Sequence, residues 1–201
     1  MMRARFCLLL LLTACPLLAA GQPPAGQRDP QSTYEPRSDP GAGQKFLEKF
    51  VGDWEVAKAF FPRSGDPARS KGECRQTMIH GGRFLKSEFV FGQGANRTTG
   101  TGIIGFEINS AKFTSVWTDS RSTAMSLRQS EGKFNGSEIV LYSRSLAPAG
   151  QETRRSRTVT RLEDEGRRIV HRQYTLGTDG QERLMMELVM TRKTSEGSAG
   201  K

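Results

Sequence analysis

The chain has two histidines, His80 and His171, which are its first candidates for metal or proton-transfer chemistry. Two histidines do not supply the three protein ligands of a catalytic zinc site, and no cysteine or carboxylate lies at a ligand spacing beside them. His80 adjoins a Gly-Gly pair, so we expect it in a turn. His171 lies in a run that alternates like a β-strand. Some small β-barrels hold haem through one histidine of a late strand, so His171 is the haem candidate, although an ordinary polar histidine is the simpler interpretation.

Cysteine and serine offer little nucleophilic chemistry. Of three cysteines, Cys7 and Cys15 lie in the N-terminal segment, which leaves Cys74 for the folded part. One cysteine cannot form an internal disulfide, so we expect the fold to depend on its core. Cys74 lies in a strand-like run, which favours a small buried hydrophobe over a reactive thiol. No Gly-x-Ser-x-Gly elbow occurs, and we predict no catalytic residue.

Residues 100–105 spell the dinucleotide pattern Gly-x-Gly-x-x-Gly. That pattern binds a pyrophosphate only where a strand precedes it and a helix N-terminus follows it. Here a polar loop precedes the glycines and an extended run follows. We therefore predict no nucleotide site, and we expect the glycines to allow a sharp bend at a barrel corner.

A basic tract covers two adjacent predicted strands, with Arg154, Arg155, Arg157, Arg161, Arg167, Arg168 and Arg172. Alternation places arginines on the outer face and the small residues between them inside, which would leave space in the interior. The outer face is either simply solvated or an anion-binding surface. The whole chain carries a formal net charge of +9. Because we expect an exported protein, membrane or polysaccharide contact is favoured over nucleic acid.

Apolar residues at strand spacing either line a pocket or fill a core, and the spacing alone leaves both alternatives open. The predicted ligand-binding set is Trp54, Phe89, Trp117, Met125, Tyr142, His171 and Met186.

The first twenty residues have the features of an export signal. Arg3 and Arg5 precede an apolar run, and small residues follow at 19–21. The run falls short of the ~20 residues that a membrane-spanning helix needs. We expect residues 1–20 to be a signal peptide and the protein to be exported or secreted, to the periplasm or cell envelope. A competing interpretation is a lipobox over residues 12–15, in which Cys15 is lipidated and anchors the protein.

The rest of the chain predicts one domain between flexible ends. Residues 21–41 are rich in Pro, Gly, Gln and Ser and predict a disordered linker, and residues 194–201 a disordered tail. Residues 44–51 have helical spacing and precede Gly52, which predicts one short N-terminal helix. From Trp54 onward the pattern has period two, with short turn-rich connections, which predicts antiparallel neighbours. The predicted runs are 54–61, 72–79, 83–91, 102–108, 112–118, 122–129, 138–143, 153–162, 167–176 and 183–192.

About ten strands in up-and-down order can remove both sheet edges by closing into a single antiparallel β-barrel, which we predict for residues 42–193. Several motifs add a resemblance: Phe50-Val51-Gly52-Asp53-Trp54 is similar to the opening of calycin-type barrels. Three later stretches, at 81–85, 102–107 and 116–123, and the closing run at 186–192 resemble the bacterial domain of unknown function 1579 family. This resemblance implies a lipocalin-like barrel and implies no established catalytic residue.

These observations lead to a hypothesis and two alternatives. The favoured function is binding of a small apolar or amphipathic ligand inside the barrel. The first alternative is an envelope interaction protein with a solid barrel and a basic face that contacts lipid or a partner. The second, a haem protein or enzyme centred on His171, is less favoured. The sequence implies no other cofactor, no metal and no nucleic-acid partner, and it does not determine the oligomeric state.

Overall fold

The computed structural model describes residues 30–144, 155–177 and 180–194. The chain divides into two compact units, Met1–Ser38 and Asp39–Lys201. In the first, the described part contains one 3-10 turn, Pro30–Thr33, inside the segment for which the sequence predicts no regular structure. The predicted signal peptide, Cys15, and residues 195–201 of the tail lie outside the described residues.

The second unit is a closed antiparallel barrel. Its described strands run β1 (Gly52–Phe60), β2 (Ala68–Ile79), β3 (Phe84–Phe91), β4 (Thr98–Glu107), β5 (Lys112–Asp119), β6 (Ser126–Gln129), β7 (Glu138–Arg144), β8 (Arg155–Glu163), β9 (Arg168–Leu176) and β10 (Glu182–Arg192). Each strand pairs with its neighbour in sequence, and β10 pairs with β1, so no edge is left unpaired. The predicted all-β, ten-stranded up-and-down barrel is confirmed.

One helix closes an end of the barrel. Helix α1 (Ala42–Glu48) buries Phe46 and Leu47, and Phe50 just beyond it is also buried. The Gln44 side chain accepts a hydrogen bond from the Gly41 amide at 2.9 Å and donates one to the Phe106 carbonyl at 2.8 Å. The bond to Phe106 holds the helix against the end of β4. The predicted N-terminal helix is confirmed, and we call this end of the barrel the helix end and the opposite end the loop end.

Strand β6 is shorter than the predicted run at 122–129. Ahead of it, the Asp119 carboxylate accepts the Arg121 amide at 2.8 Å, and the Ser122 hydroxyl accepts the Ala124 amide at 3.0 Å. Such local side-chain bonds give the backbone an alternative to the sheet ladder. The prediction of a strand at residues 122–125 is therefore wrong, and these residues form a loop at the loop end.

Candidate ligand-binding cavity

The barrel is hollow. A cavity of about 760 Å³ lies between the strands, with Leu47 and Phe50 bounding it at the helix end. Small-molecule sites in proteins have volumes of roughly 300–1,000 Å³. The same space would hold about 25 waters at roughly 30 Å³ each. The interior is therefore of ligand size and is not filled by the protein's own side chains.

One wall of the cavity is apolar and aromatic. Strand β3 contributes Leu85, Phe89 and Phe91, and β10 contributes Met186 and other apolar side chains. The Phe89 ring meets the Trp117 indole edge to face, with centroids 5.5 Å apart. Methionine adapts its shape to irregular neighbours, so this wall suits an apolar body of variable outline.

Glycines in β4 make room for the Trp117 ring. A Cβ at Gly100 would overlap the indole, and one at Gly102 would lie 3.3 Å from its Cε3 atom. The Trp117 Nε1 atom donates to the Asp119 carboxylate at 2.9 Å, which fixes the ring against the strand. Gly100 and Gly102 therefore have a packing role, because they seat an aromatic ring of the cavity wall, and the expected bend stays a prediction.

A second wall of the cavity is more polar. Strands β5, β6, β8 and β9 direct hydroxyl, amide and basic side chains into the same cavity: Ser115, Ser126, Arg128, Thr158, Thr160, His171 and Gln173. The Thr160 hydroxyl and the Nδ1 atom of His171 lie 2.8 Å apart and are hydrogen-bonded. An interior with one apolar and one polar side matches a molecule that is itself amphipathic.

Arg128 is the charged group of this wall. Its Nε atom is buried and has no hydrogen-bond partner. Burial lowers the pKa of the guanidinium, and no carboxylate of residues 30–144, 155–177 or 180–194 opposes that shift. A buried charge without a counter-charge is costly for a folded protein.

The inward direction of Arg128 is set by the register of β6. Its neighbour Leu127 points outward and is 65% exposed. Beyond the strand, the Ser130 hydroxyl donates to the Val140 carbonyl at 3.0 Å, and the Ser130 amide donates to the Phe113 carbonyl at 2.9 Å. A slip of one residue would exchange the two faces and turn Leu127 inward. The bonds of Ser130 to both neighbouring strands oppose that slip.

His171 faces the cavity and not the bulk solvent. Burial, with a smaller contribution from the charge of Arg128, lowers the pKa of His171 to about 4. The imidazole is therefore neutral at pH 7 and carries one N–H donor and one acceptor.

Gln76 lies on β2, is 4% exposed and also borders the cavity. Its Oε1 atom is buried without a hydrogen-bond partner. A ligand or an ordered water that donates a hydrogen bond would satisfy this amide.

Positively and negatively charged side chains both lie at the loop end of the cavity. Lys58 is half-buried, and its Nζ atom lies 3.6 Å from the centroid of the Phe91 ring. Burial and the positive charge of Arg121 lower the pKa of Lys58, whereas the negative charge of Asp119 raises it. The pKa of Asp119 is lowered, first by its hydrogen bond from Trp117. The cavity thus reaches exposed, mixed-charge residues at this end.

The structure brings four of the seven predicted ligand-binding residues to the cavity. Phe89 and Met186 line its apolar wall, Trp117 covers the glycines of β4, and His171 lies on the polar wall. Alternation along the sequence selected them, and in the structure these four lie on the inner face of the barrel.

The other three, Trp54, Met125 and Tyr142, do not border the cavity. Trp54 is fully buried at the helix end, where its Nε1 atom donates to the Phe50 carbonyl at 3.0 Å and Arg192 covers its ring at 4.2 Å. Met125 lies in the loop before β6 and is 62% exposed. Tyr142 alternates with inward-facing Leu141 and is paired in register with Arg157 on the outer face.

Sequence reasoning missed Arg128, Gln76 and Thr160. Thr160 belonged to the small inner face opposite the arginines, so its position was implied but its bond to His171 was not. Gln76 could have been found as the polar residue between Cys74 and Met78 on an otherwise apolar face. The sequence around Arg128 is misleading, because the alternation of apolar and polar residues predicts that Leu127 points inward and Arg128 outward.

The arginine tract lies outside, as the alternation of β8 predicted. Among described residues, five of its arginines form ion pairs: Arg155–Glu131, Arg157–Glu182, Arg161–Glu138, Arg168–Glu163 and Arg172–Glu187. Arg154 lies outside the described residues. Exposed pairs of this kind contribute little stability, roughly 0–1 kcal/mol each. Their effect here is to offset much of the positive charge of this face.

Cys74 is 2% exposed, and burial raises the pKa of its thiol to about 12. In the described segments no group of three His, Cys, Asp or Glu side chains is placed to hold a metal ion. Nor does any helix in those segments have the length and apolar content to cross a bilayer.

Comparison with solved structures supports the fold. The crystal structure of Rv2717c from M. tuberculosis superposes with a TM-score of 0.55 at 15% identity, covering 78% of this chain and 100% of that one. The S-type phycobiliprotein lyase CPES from Guillardia theta superposes with a TM-score of 0.51 at 8% identity, covering 77% and 94%. At such identities the likeness concerns the barrel alone.

Sequence comparison assigns the family. No curated protein matches the chain. The model of the family described as "Protein of unknown function (DUF1579)" matches residues 39–192, which cover the helix and all the described strands. The chain therefore belongs to the DUF1579 family, in agreement with the motif resemblance.

Proposed function

We propose that this barrel binds a small amphipathic molecule in its interior. The observation that carries the proposal is the cavity of about 760 Å³, which has an apolar wall on β3 and β10 and a polar wall on β6, β8 and β9. Apolar surface in a preformed, ligand-sized cavity favours binding of an apolar body, and convergent polar groups fix its orientation. The likeness in fold to a phycobiliprotein lyase is consistent with a barrel that handles a small molecule.

The test is binding of decan-1-ol, a neutral amphipathic probe, measured by isothermal titration calorimetry. Ser87 lies on the inner face of β3, and Ser87→Phe would occupy part of the cavity. Thr114 lies exposed on β5, so Thr114→Phe adds the same ring outside. We expect saturable binding by the wild type and by Thr114→Phe, and a loss of at least about tenfold in affinity for Ser87→Phe. Absence of binding, or equal binding by both variants, would contradict the proposal.

The proposal extends to the cell envelope as the place of action. The cationic start, apolar run and small residues of 1–20 support export, and Cys15 supplies a lipidation site if the lipobox is used. Mass spectrometry of the protein purified from its own host distinguishes the two. Cleavage after residue 20 gives an unmodified N-terminus, whereas lipidation gives an acylated Cys15. A full-length chain that retains residues 1–20 would contradict export by this route.

The alternatives have less support. A solid barrel does not fit a cavity of about 760 Å³, and the glutamates beside the outer arginines offset the basic face that would contact lipid. Haem binding through His171 stays a prediction. A purified sample reconstituted with haem would need a strong visible band that His171→Ala abolishes.

A further inference from the structure

We infer that the ligand carries a single negative charge, of the carboxylate class, and that Arg128 binds this group while the apolar wall holds the rest of the molecule. This inference rests on the proposed function, because it names the chemical class that the cavity selects.

Among the described residues, Arg128 has no counter-charge. Arg128 lines the cavity, its Nε atom lacks a hydrogen-bond partner, and the described chain provides no carboxylate that pairs with it. The contrast with the outer face is direct, because Arg161 and Arg172 there each meet a glutamate at 2.7 Å. The protein supplies acidic partners to the arginines that solvent already stabilises and none to the arginine inside. A guanidinium presents a planar fork of donors that matches a carboxylate.

The register of β6 places Arg128 inside the barrel. Leu127 is exposed and Arg128 points into the cavity. This arrangement reverses the usual preference of leucine for the interior and of arginine for solvent. The hydroxyl and amide of Ser130 bond to β7 and β5 and oppose the one-residue slip that would restore the preference. Local conflicts of this kind, held in place by neighbouring structure, are typical of functional sites.

Arg128 supplies the one positive charge in its part of the interior, because Lys58 and Arg121 lie at the loop end beside Asp119. His171 is neutral at pH 7 and is held by Thr160, so it offers a hydrogen bond but no charge. One guanidinium therefore balances one negative charge in this part of the interior. A phosphate monoester, with nearly two charges, would leave one charge uncompensated in a buried site. A monocarboxylate leaves none.

The cavity also offers a surface for an apolar body. Phe89, Trp117 and Met186 line it and carry no charge. A ligand anchored by its head at Arg128 would place its apolar body against these side chains. This arrangement distinguishes an amphipathic carboxylate from a small polar anion such as acetate, which would leave the apolar wall without contacts.

The experiment compares three probes of equal chain length at concentrations below their micelle limits: decanoate, decan-1-ol and decyltrimethylammonium. Calorimetry on the wild type should give at least about tenfold tighter binding of decanoate than of decan-1-ol, and the weakest binding for the cation. Arg128→Met should weaken decanoate by at least about thirtyfold and leave decan-1-ol unchanged or improved. Arg155→Met, on the outer face, is the matched control and should change neither affinity.

A second measurement needs no variant. The pKa of His171, followed by NMR of its ring protons, should rise by at least about one unit when decanoate binds, because a negative charge beside Arg128 favours the imidazolium. Decan-1-ol, which carries no charge, should not raise it. Equal affinities for decanoate and decan-1-ol, with no change in the His171 titration, would overturn the carboxylate inference and leave the proposed function intact. Failure of decan-1-ol and decanoate alike would overturn both.

Discussion

Replacement of Arg128 by methionine should stabilise the ligand-free protein. The guanidinium is largely buried and its Nε atom is unpartnered, so folding transfers a charged group from water without a compensating interaction. An unsatisfied buried polar group costs roughly 1–3 kcal/mol, and apolar replacement of buried charges is often neutral or stabilising. Because cavity water can hydrate part of the group, we take the lower part of that range, about 1–2 kcal/mol. For a domain of this size that corresponds to a Tm increase of roughly 2–8 °C.

The measurement is urea unfolding and thermal melting at pH 7, with Arg155→Met as the control. Arg155 is exposed, and its Nη2 atom lies 2.8 Å from the Oε1 atom of Glu131. Loss of this pair should cost about 0–1 kcal/mol, which is opposite in sign to the effect at Arg128. A decrease of more than about 1 kcal/mol for Arg128→Met would refute the reasoning, since it would mean that the guanidinium has a stabilising partner in the ligand-free protein.

Three further predictions concern other parts of the interior. The lowered pKa of His171, about 4 against 6.5 when unfolded, means that its contribution to stability is present above pH 6.5. Roughly 3 kcal/mol of this stability should be lost as the pH falls from 6.5 to 4. Urea unfolding of the wild type and of His171→Gln over this pH range measures the loss. Parallel curves of unfolding free energy against pH for the two proteins would contradict the prediction. Gly100→Ala should destabilise the fold by roughly 1–3 kcal/mol and shift the fluorescence of Trp117, whereas Gly132→Ala, where an added Cβ meets nothing within 4 Å, should do neither. Cys74 should resist Ellman's reagent in the native protein and react in guanidinium chloride, and rapid labelling of the native protein would show that it is accessible.

The sequence predicted the barrel because side-chain alternation and short turns are local properties that extend over the whole domain. It also predicted the inner face of β3, β5, β9 and β10, which carry Phe89, Trp117, His171 and Met186. Period two defines the face of a strand but not the depth along the barrel axis. Trp54 shows the difference, because it points inward but lies beneath the helix end, packed under Arg192.

The rest depended on contacts that the local pattern does not contain. Met125 left the predicted strand because Asp119 and Ser122 bond to the backbone ahead of β6. The inward position of Arg128 depends on Ser130, whose partners lie on two other strands. The hydrophobic pattern of four residues is too short to decide the face of β6, and there it favours the wrong one.

Intermolecular nuclear Overhauser effects between the chain protons of bound decan-1-ol and the protein test whether a small molecule occupies the interior of the barrel. We expect effects to the indole of Trp117 and the methyl group of Met186, both of which border the cavity. Effects confined to exposed side chains such as Leu127, with none to Trp117 or Met186, would contradict this expectation.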